Sequence, residues 1–567
     1  MTKHSHVFTV AIRGFLVSIF PLSVFAQTPP DAGALRQQIE QGREPSLPRK
    51  ALPAKPAEPT AMQVQTGVIV TVKSFRFAGN TLLTTEQLAP VIADYINRSL
   101  DYPQLQAAAA AVANAYREAG WVVRAYLPQQ DVTDGIVTIQ IVEAVFGGVQ
   151  IDVNVPSRMD TEYVTGIINA QQKTGDALNS EAIDRGLLLA DDLSGVTVSG
   201  VLHEGAQPGQ TDLVLKLADK PLTVGEAGLD NTGSRSTGPD RLTANLSLNS
   251  PFGFGDLASA NAIHTQGSDY FRLGYTIPVG DDGWRTGANI STLSYKLVAP
   301  EFTALHAKGT SDTAGLEATY PIIRSRLRNL YFNANLDHKT FDNQSLGATT
   351  TSYKADTVTM GLIGNLFDNL GGGGANSASV SIVDGSLDLD GSPNQAADGA
   401  TTQTAGHYTK LRYVISRQQT ITDELSFYAV LTGQLANKNL DSSERFYLGG
   451  AGGVRAYPTN EGGGAEGTLV NLEVRWRLPE GFNLVGFYDD GHITINPNNS
   501  FAGAAALNGY SLKGAGLSLV WQSGGGPSFK VTWAHRIGDN PNPTATGNDQ
   551  DGSLRKNRFW LTASLPF

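Results

Sequence analysis

Apolar and polar residues alternate with period two from about Leu222 to Phe567. Segments such as RLTANLSLNS, YFRLGYTIPVG, KADTVTMGLIGNLF, YTKLRYVISRQQ, TLVNLEVRWRL and NRFWLTASLPF carry the pattern, separated by Gly/Asn/Asp/Ser-rich turns. Period two places successive side chains on opposite faces, so each segment predicts a strand with one apolar face. A soluble sandwich shares that pattern. Three features favour a membrane barrel. One antiparallel unit of about 345 residues exceeds the usual size of a soluble single-core domain. Trp476, Trp521 and Trp560 fall near segment ends, as interfacial girdles do. The last strand sets Leu561, Ala563, Leu565 and Phe567 on one face and Thr562, Ser564 and Pro566 on the other. A terminal Phe567 costs solubility unless that face meets lipid or a partner. A repeat of about 21 residues divides the region into roughly 16 strands, with two hairpins hidden among the readable segments.

The N-terminal part reads differently. Residues 1–26 combine Lys3 and Arg13 with a short apolar run ending at Ala26, which predicts a cleaved signal peptide. In the region 27–44, Asp31 is placed to cap a helix from Ala32 to Gln41 that Gly42 ends. Prolines at 45, 48, 53, 56 and 59 make residues 45–67 an extended linker. Residues 68–145 read as β-α-α-β-β, with VIVTVKSFRFAGN as a single strand. Residues 146–221 repeat that order, so two small αβ modules stand in series before the barrel at 222–567.

Composition narrows the chemistry. The chain has no cysteine, which removes disulfides, thiol catalysis and cysteine-ligated metals. Its formal net charge of -11 argues against nucleic acid as a partner. The nine histidines include no HExxH, and there is no GxSxG elbow or GxxxxGK[ST] loop. The glycines at 371–374 mark a turn, and the adjacent Asp489 and Asp490 point to opposite sides of a strand, which is poor geometry for paired acid/base carboxylates. Neither a metal, a cofactor nor an enzymatic activity is implied.

Four stretches together resemble the TpsB transporters of two-partner secretion, relatives of the barrel assembly proteins that carry periplasmic POTRA domains. They are YLPQQDVTDGIVTIQIVEA, LDNTGSRSTGPDRL with NSPFGFGD, GGAGGVRAYPTNEGGG, and GFYDDG. The resemblance covers nearly everything after the signal peptide. It implies an N-terminal plug helix (27–44), a linker, POTRA 1 (68–145), POTRA 2 (146–221) and a 16-stranded barrel in the outer membrane, with the POTRA domains in the periplasm. It also implies export of a large cognate exoprotein that has an N-terminal secretion domain. Outer-membrane lipid and, during biogenesis, the barrel assembly machinery are the other partners it implies.

The same resemblance places Val454, Arg455, Ala456 and Tyr457 on a long loop folded back into the barrel, with Ala456 where the family usually has glycine. It makes Asp489, beside Phe487, the wall partner of Arg455. A guanidinium fork can donate twice to one carboxylate, so the pair can pin a floppy loop. An ordinary hairpin-tip arginine is the plainer reading. Glycines 449, 450, 452 and 453 permit close approach, while 462–464 read as loop filler. Tyr116, Trp121, Arg124 and Tyr126 form a candidate substrate-recognition region, although Trp121 and its neighbours also suit a core. Phe567 is the C-terminal barrel signal. The competing functions are a POTRA-containing factor inserting outer-membrane proteins, a passive porin and an adhesive surface protein.

Overall fold

The computed structural model describes residues 29–41, 47–48, 69–152 and 158–567. The predicted signal peptide and most of the proline-rich linker lie outside the described residues. Helix α1 runs Ala32–Gln41, and Asp31 caps it by accepting from the Ala34 amide at 2.8 Å.

The first small module contains β1 (Ile69–Val72), β2 (Ser74–Ala78), α2 (Thr85–Leu88), β3 (Arg98–Asp101), α3 (Tyr102–Glu118), β4 (Val123–Tyr126) and β5 (Ile136–Glu143). The stretch read as one strand is two: β1 pairs with β3, while β2 pairs parallel with β5. The break lies at Lys73, whose amide donates to the Gly135 carbonyl instead of continuing a ladder. The main sheet has the order β2-β5-β4. The second module contains β6 (Val145–Ile151), α4 (Thr161–Gln171), α5 (Ser180–Asp191), β7 (Val196–Glu204) and β8 (Gln210–Asp219), with sheet order β6-β8-β7. Its core joins Val164, Ile167 and Ile168 of α4 to Leu213, Leu215 and Leu217 of β8.

The barrel strands are β9 (Thr223–Asp230), β10 (Arg241–Asn249), β11 (Leu257–His264), β12 (Ser268–Val279), β13 (Trp284–Lys296), β14 (Lys308–Arg324), β15 (Arg328–Ser345), β16 (Ala348–Asp368), β17 (Gly374–Asp388), β18 (Gly406–Thr420) and β19 (Leu425–Ala436). A short loop pair, β20 (Phe446–Tyr447) and β21 (Gly463–Gly464), precedes β22 (Glu466–Arg477), β23 (Phe482–Thr494), β24 (Gly509–Gln522), β25 (Ser528–Arg536) and β26 (Asn557–Pro566). Leaving out β20 and β21, these sixteen strands close into one antiparallel barrel as β26 pairs with β9. The elements not readable as periodic segments are the single strands β9 and β11, rather than two hairpins. Glycine in β9 and alanine in β11 blur the apolar face that the period requires.

Ile290, Leu316, Met360, Ile382 and Leu561 are all exposed on the outer wall, as they must be where the solvent is hydrocarbon. Among the described residues no helix is long and apolar enough to cross a membrane. The second module is clamped to the barrel. Arg324 donates to Asp192 at 2.7 and 2.8 Å. Arg326 donates to Asp184 at 2.9 and 2.7 Å. Both arginines flank the turn between β14 and β15, so two planar forks fix α5 beneath the barrel mouth.

Candidate functional site: the occupied lumen

Two segments fill the lumen. The loop between β19 and β22 folds inward and carries Arg455, which is 5% exposed, onto the wall beside Asp489, which is fully buried. The Arg455 Nε and Nη2 atoms donate to Asp489 at 3.0 and 2.6 Å, and the Arg455 backbone amide adds a third bond at 3.0 Å. The sequence brings these groups together because odd positions of β23 point inward. Asp490 points outward and pairs with Lys513 at 2.9 Å. The Arg455 guanidinium also lies 3.5 Å from the Phe487 ring centroid, a cation–π contact.

Three partners carry no signal in the local sequence. Glu473 on β22 accepts from Arg455 Nη1 at 2.7 Å. Asn471, two residues earlier on the same face, bridges Asp489 at 2.7 Å and the Gly453 carbonyl at 3.1 Å. Trp560 on β26, expected from the sequence to sit in the interfacial girdle, instead points inward because its position in the strand has the inward parity. It donates its indole N–H to the Arg455 carbonyl at 2.8 Å. Only their inward parity marks them, and neighbouring inward residues share it.

Val454, Ala456 and Tyr457 are fully buried in a cluster with Leu448, Phe487, Ile493 and Leu512. The departure at Ala456 is accommodated by the wall: a Cβ at Gly514 would lie 2.6 Å from the Ala456 Cβ, so the methyl uses space that glycine leaves. Gly453 serves close approach, since a Cβ there would meet the Leu448 carbonyl oxygen at 1.9 Å. The residues 462–464 are not filler, because Gly463 and Gly464 pair with Tyr447 and Phe446. Tyr457 lies under Arg536, 4.2 Å from guanidinium carbon to ring centroid.

Helix α1 occupies the other part of the lumen, against β13, β14 and β15. Its seat is less polar than the helix composition suggests. Leu35 is buried among Tyr270, Leu293, Phe302, Phe341 and Tyr353. Asp31 accepts from Ser442 at 2.8 Å, and Gln41 exchanges hydrogen bonds with the Tyr447 backbone at 3.1 and 3.4 Å. Arg36 pairs within its own helix with Glu40 at 2.6 Å and reaches the wall through the hydroxyls of Ser311 and Ser291. The nearby wall lysines Lys339 and Lys410 pair with Glu444 of the inward loop at 2.9 and 2.8 Å. Past the helix, Asn365 on β16 donates to the Pro48 carbonyl at 2.7 Å, which puts that point of the linker against the barrel wall.

In the first module the four candidate residues separate. Tyr116 is fully buried and donates to Glu143 at 2.9 Å. Burial and that hydrogen bond push its hydroxyl well above the usual tyrosine range. Tyr116 therefore belongs to the core and presents nothing to a substrate, and Trp121 packs against the same cluster. Arg124 and Tyr126 lie on the edge strand β4, with the guanidinium 5.4 Å from the ring centroid. Phe567 exchanges backbone hydrogen bonds with Gly225 at 2.9 and 3.0 Å, extending the seam between β26 and β9 to the last residue.

A sixteen-stranded outer-membrane barrel bearing two αβ modules, with a helix and a pinned loop in its lumen, defines the class of POTRA-bearing outer-membrane transporters. The family profile described as "Haemolysin secretion/activation protein ShlB/FhaC/HecB" matches residues 209–517, and that of the "POTRA domain, ShlB-type" matches residues 70–144. The chain belongs to the ShlB/FhaC/HecB family, the outer-membrane transporters of two-partner secretion. It is 25% identical to the heme/hemopexin transporter protein HuxB of Haemophilus influenzae, over 100% of this chain and 99% of the relative. It is 26% identical to the outer membrane transporter CdiB of Dickeya dadantii, covering 81% and 82%. The solved structure of CdiB from Escherichia coli superposes with a TM-score of 0.68 at 19% identity, over 94% of this chain and 95% of that one. BamA from Haemophilus ducreyi lacking POTRA domains 1–3 shares the fold, with a TM-score of 0.52 at 14% identity, over 88% and 100%.

Proposed function

We propose that this chain takes one large cognate exoprotein, unfolded, from the periplasm to the cell surface. The two αβ modules, bounded at 68–145 and 146–221, receive the exoprotein, and the barrel from 222 onward conducts it. A sheet edge such as β4, with Arg124 and Tyr126, can add an extended incoming strand through backbone groups that every sequence possesses. Helix α1 leaves the lumen when the chain enters, while the Arg455–Asp489 pair keeps its loop against the wall and the passage open. Phe567 serves the barrel assembly machinery as the terminal signal, and the outer wall meets lipid. No cofactor, metal or catalytic step enters this reading, and folding outside the cell supplies part of the drive.

The observation that carries it is the double occupancy of the lumen: a tethered helix held by hydrogen bonds and apolar packing beside a loop held by a buried ion pair. An Arg455→Ala variant tests it. The reading expects correct insertion with secretion sharply reduced, and normal export by a correctly inserted variant would refute the role of Arg455.

The fold shared with BamA favours one second reading, insertion of outer-membrane proteins. Deleting the chain separates the two. A transporter loses one high-mass product from the culture supernatant, whereas an insertase depletes many outer-membrane proteins.

A further inference from the structure

The seam that closes the barrel is uneven. The lower half of β26 pairs with β9 from Pro566↔Glu226 to Thr562↔Asp230. Above Thr562, β9 has ended, and the edge of Asn557–Leu561 that faces it has lost its neighbouring strand. One residue of the first hairpin loop takes over the ladder. The Asn231 side chain donates to the Phe559 carbonyl at 3.1 Å and accepts from the Leu561 amide at 2.8 Å.

The inward side chains of the same half-strand reach loops. Arg558 donates to Asp549 at 3.2 Å and Ser553 at 2.8 Å, while Trp560, 7% exposed, donates to the Arg455 carbonyl. On the far side of the seam, Thr459 of the Arg455 loop donates to the Thr232 carbonyl at 3.0 Å. A cavity of about 320 Å³ lies between these contacts, lined by Asn231, Arg235, Pro458, Arg558 and Trp560. A continuous ladder therefore closes the lower seam. Above it a single backbone bond, from the Asn231 amide to the Leu561 carbonyl at 3.2 Å, and side chains from the pinned loop and its neighbours close the upper seam.

We infer that Trp560 is a positioning residue for Arg455, and that through it the seating of the loop and the closure of the upper seam form one event. The inference rests on reading Arg455 as the pin of the loop. The indole sits on the loop carbonyl at the residue whose side chain holds Asp489, so the two bonds constrain one peptide from opposite sides. Withdrawing Arg455 removes the acceptor of Trp560, and Asn557–Leu561 then keeps its ladder to β25 but, on the side facing β9, has the Asn231 clip and the Arg558 contacts to close it. Conversely, without the indole N–H the Arg455 backbone is held only through Asp489 and its buried neighbours.

Hydrogen exchange of the full-length protein in detergent tests this, using Asp489→Asn, Trp560→Phe and the double variant. The Asp489 side chain bonds to Arg455 and Asn471 rather than to β26. Asp489→Asn is nonetheless expected to speed exchange about fivefold or more both in residues 449–460 and in 557–561, the scale of one lost constraint. Residues 562–566 stay protected. Trp560→Phe keeps the ring and loses only the donor, and it is expected to speed exchange around Arg455. The double variant is expected to add nothing further at 557–561, whereas independent structural roles would add. Asp489→Asn that loosens the loop but leaves 557–561 as protected as the parent overturns the inference, even if Trp560→Phe does not fold. Secretion by the same strains is a separate readout: normal export by Asp489→Asn defeats the transport role of the pin without altering what exchange says about the coupling.

Discussion

Helix α1 and the Arg455 loop share one lumen, but their charges are satisfied from different places. Among the described residues the one ion pair of the helix, Arg36–Glu40, is internal, and the helix meets the wall through hydroxyls, amides and the apolar side chains of Ala32, Leu35 and Ile39. The loop sends its guanidinium to wall carboxylates, the fully buried Asp489 and the largely buried Glu473. A helix that carries its own counter-ion can depart without stranding a charge, whereas a loop that shares one with the wall cannot. That contrast supports the proposal that the helix leaves and the loop stays.

The largest effect expected from breaking this contrast comes from Arg455→Ala or Asp489→Ala. Removing one partner of such a buried pair costs about 3–5 kcal/mol. Loop protection in hydrogen exchange is expected to collapse and secretion to fall at least tenfold, with the barrel still inserted. Next comes Leu35→Asn, which forfeits about 2 kcal/mol of apolar burial. Bilayer conductance is expected to rise as the helix seat empties, while secretion persists. Similar conductance in parent and variant would show that Leu35 does not hold the helix.

Loosening the platform beneath the lumen has a smaller effect. Arg324→Ala combined with Arg326→Ala frees α5 from the mouth and is expected to lower export several-fold without changing conductance. Cross-linking of the second module to the barrel reports the loss.

The smallest effect concerns pH. Glu461 is fully buried, accepting from Gln550 and Asn540 in the loop between β25 and β26. Burial pushes its carboxyl up to about 7 against those hydrogen bonds, and Asp549 and Asp551 add to the rise. The folded loop prefers the protonated form, so this stabilisation is complete below the ordinary carboxyl range and is lost as the pH rises through about 7. Protease resistance of residues 449–465 is expected to weaken across that window, and Glu461→Gln is expected to remove the dependence.

Much of this arrangement was legible in the residues themselves. Asp31 before an apolar-poor run bounded by Gly42 marked α1, and alternation in GFYDDG set Asp489 and Asp490 on opposite sides, with the family resemblance singling out Asp489 as the inward one. What stayed hidden depends on distance along the chain. Glu473, Asn471 and Trp560 meet Arg455 only once the sheet has closed, and nothing beside them in sequence distinguishes them from other inward residues. Lys73 ends β1 because a carbonyl at Gly135 captures its amide, a long-range contact that strand period cannot report. The apolar seat of Leu35 is assembled from several strands and a loop, so nothing in the short helix itself shows what surrounds it. In the sequence Tyr116 groups with Arg124 and Tyr126 in one candidate recognition region, although its spacing on α3 equally fits the buried face it occupies.

Because the chain lacks cysteine, single thiols can report each lumen segment during export. The most direct measurement places one at Gln38 on α1 and another at Gly452, where a Cβ meets nothing within 4 Å, and follows labelling from the periplasm while the exoprotein is in transit. The account predicts that Cys at position 38 becomes reactive during export while the reactivity of position 452 stays constant. A loop thiol that becomes periplasm-reactive while the helix thiol stays shielded would contradict it.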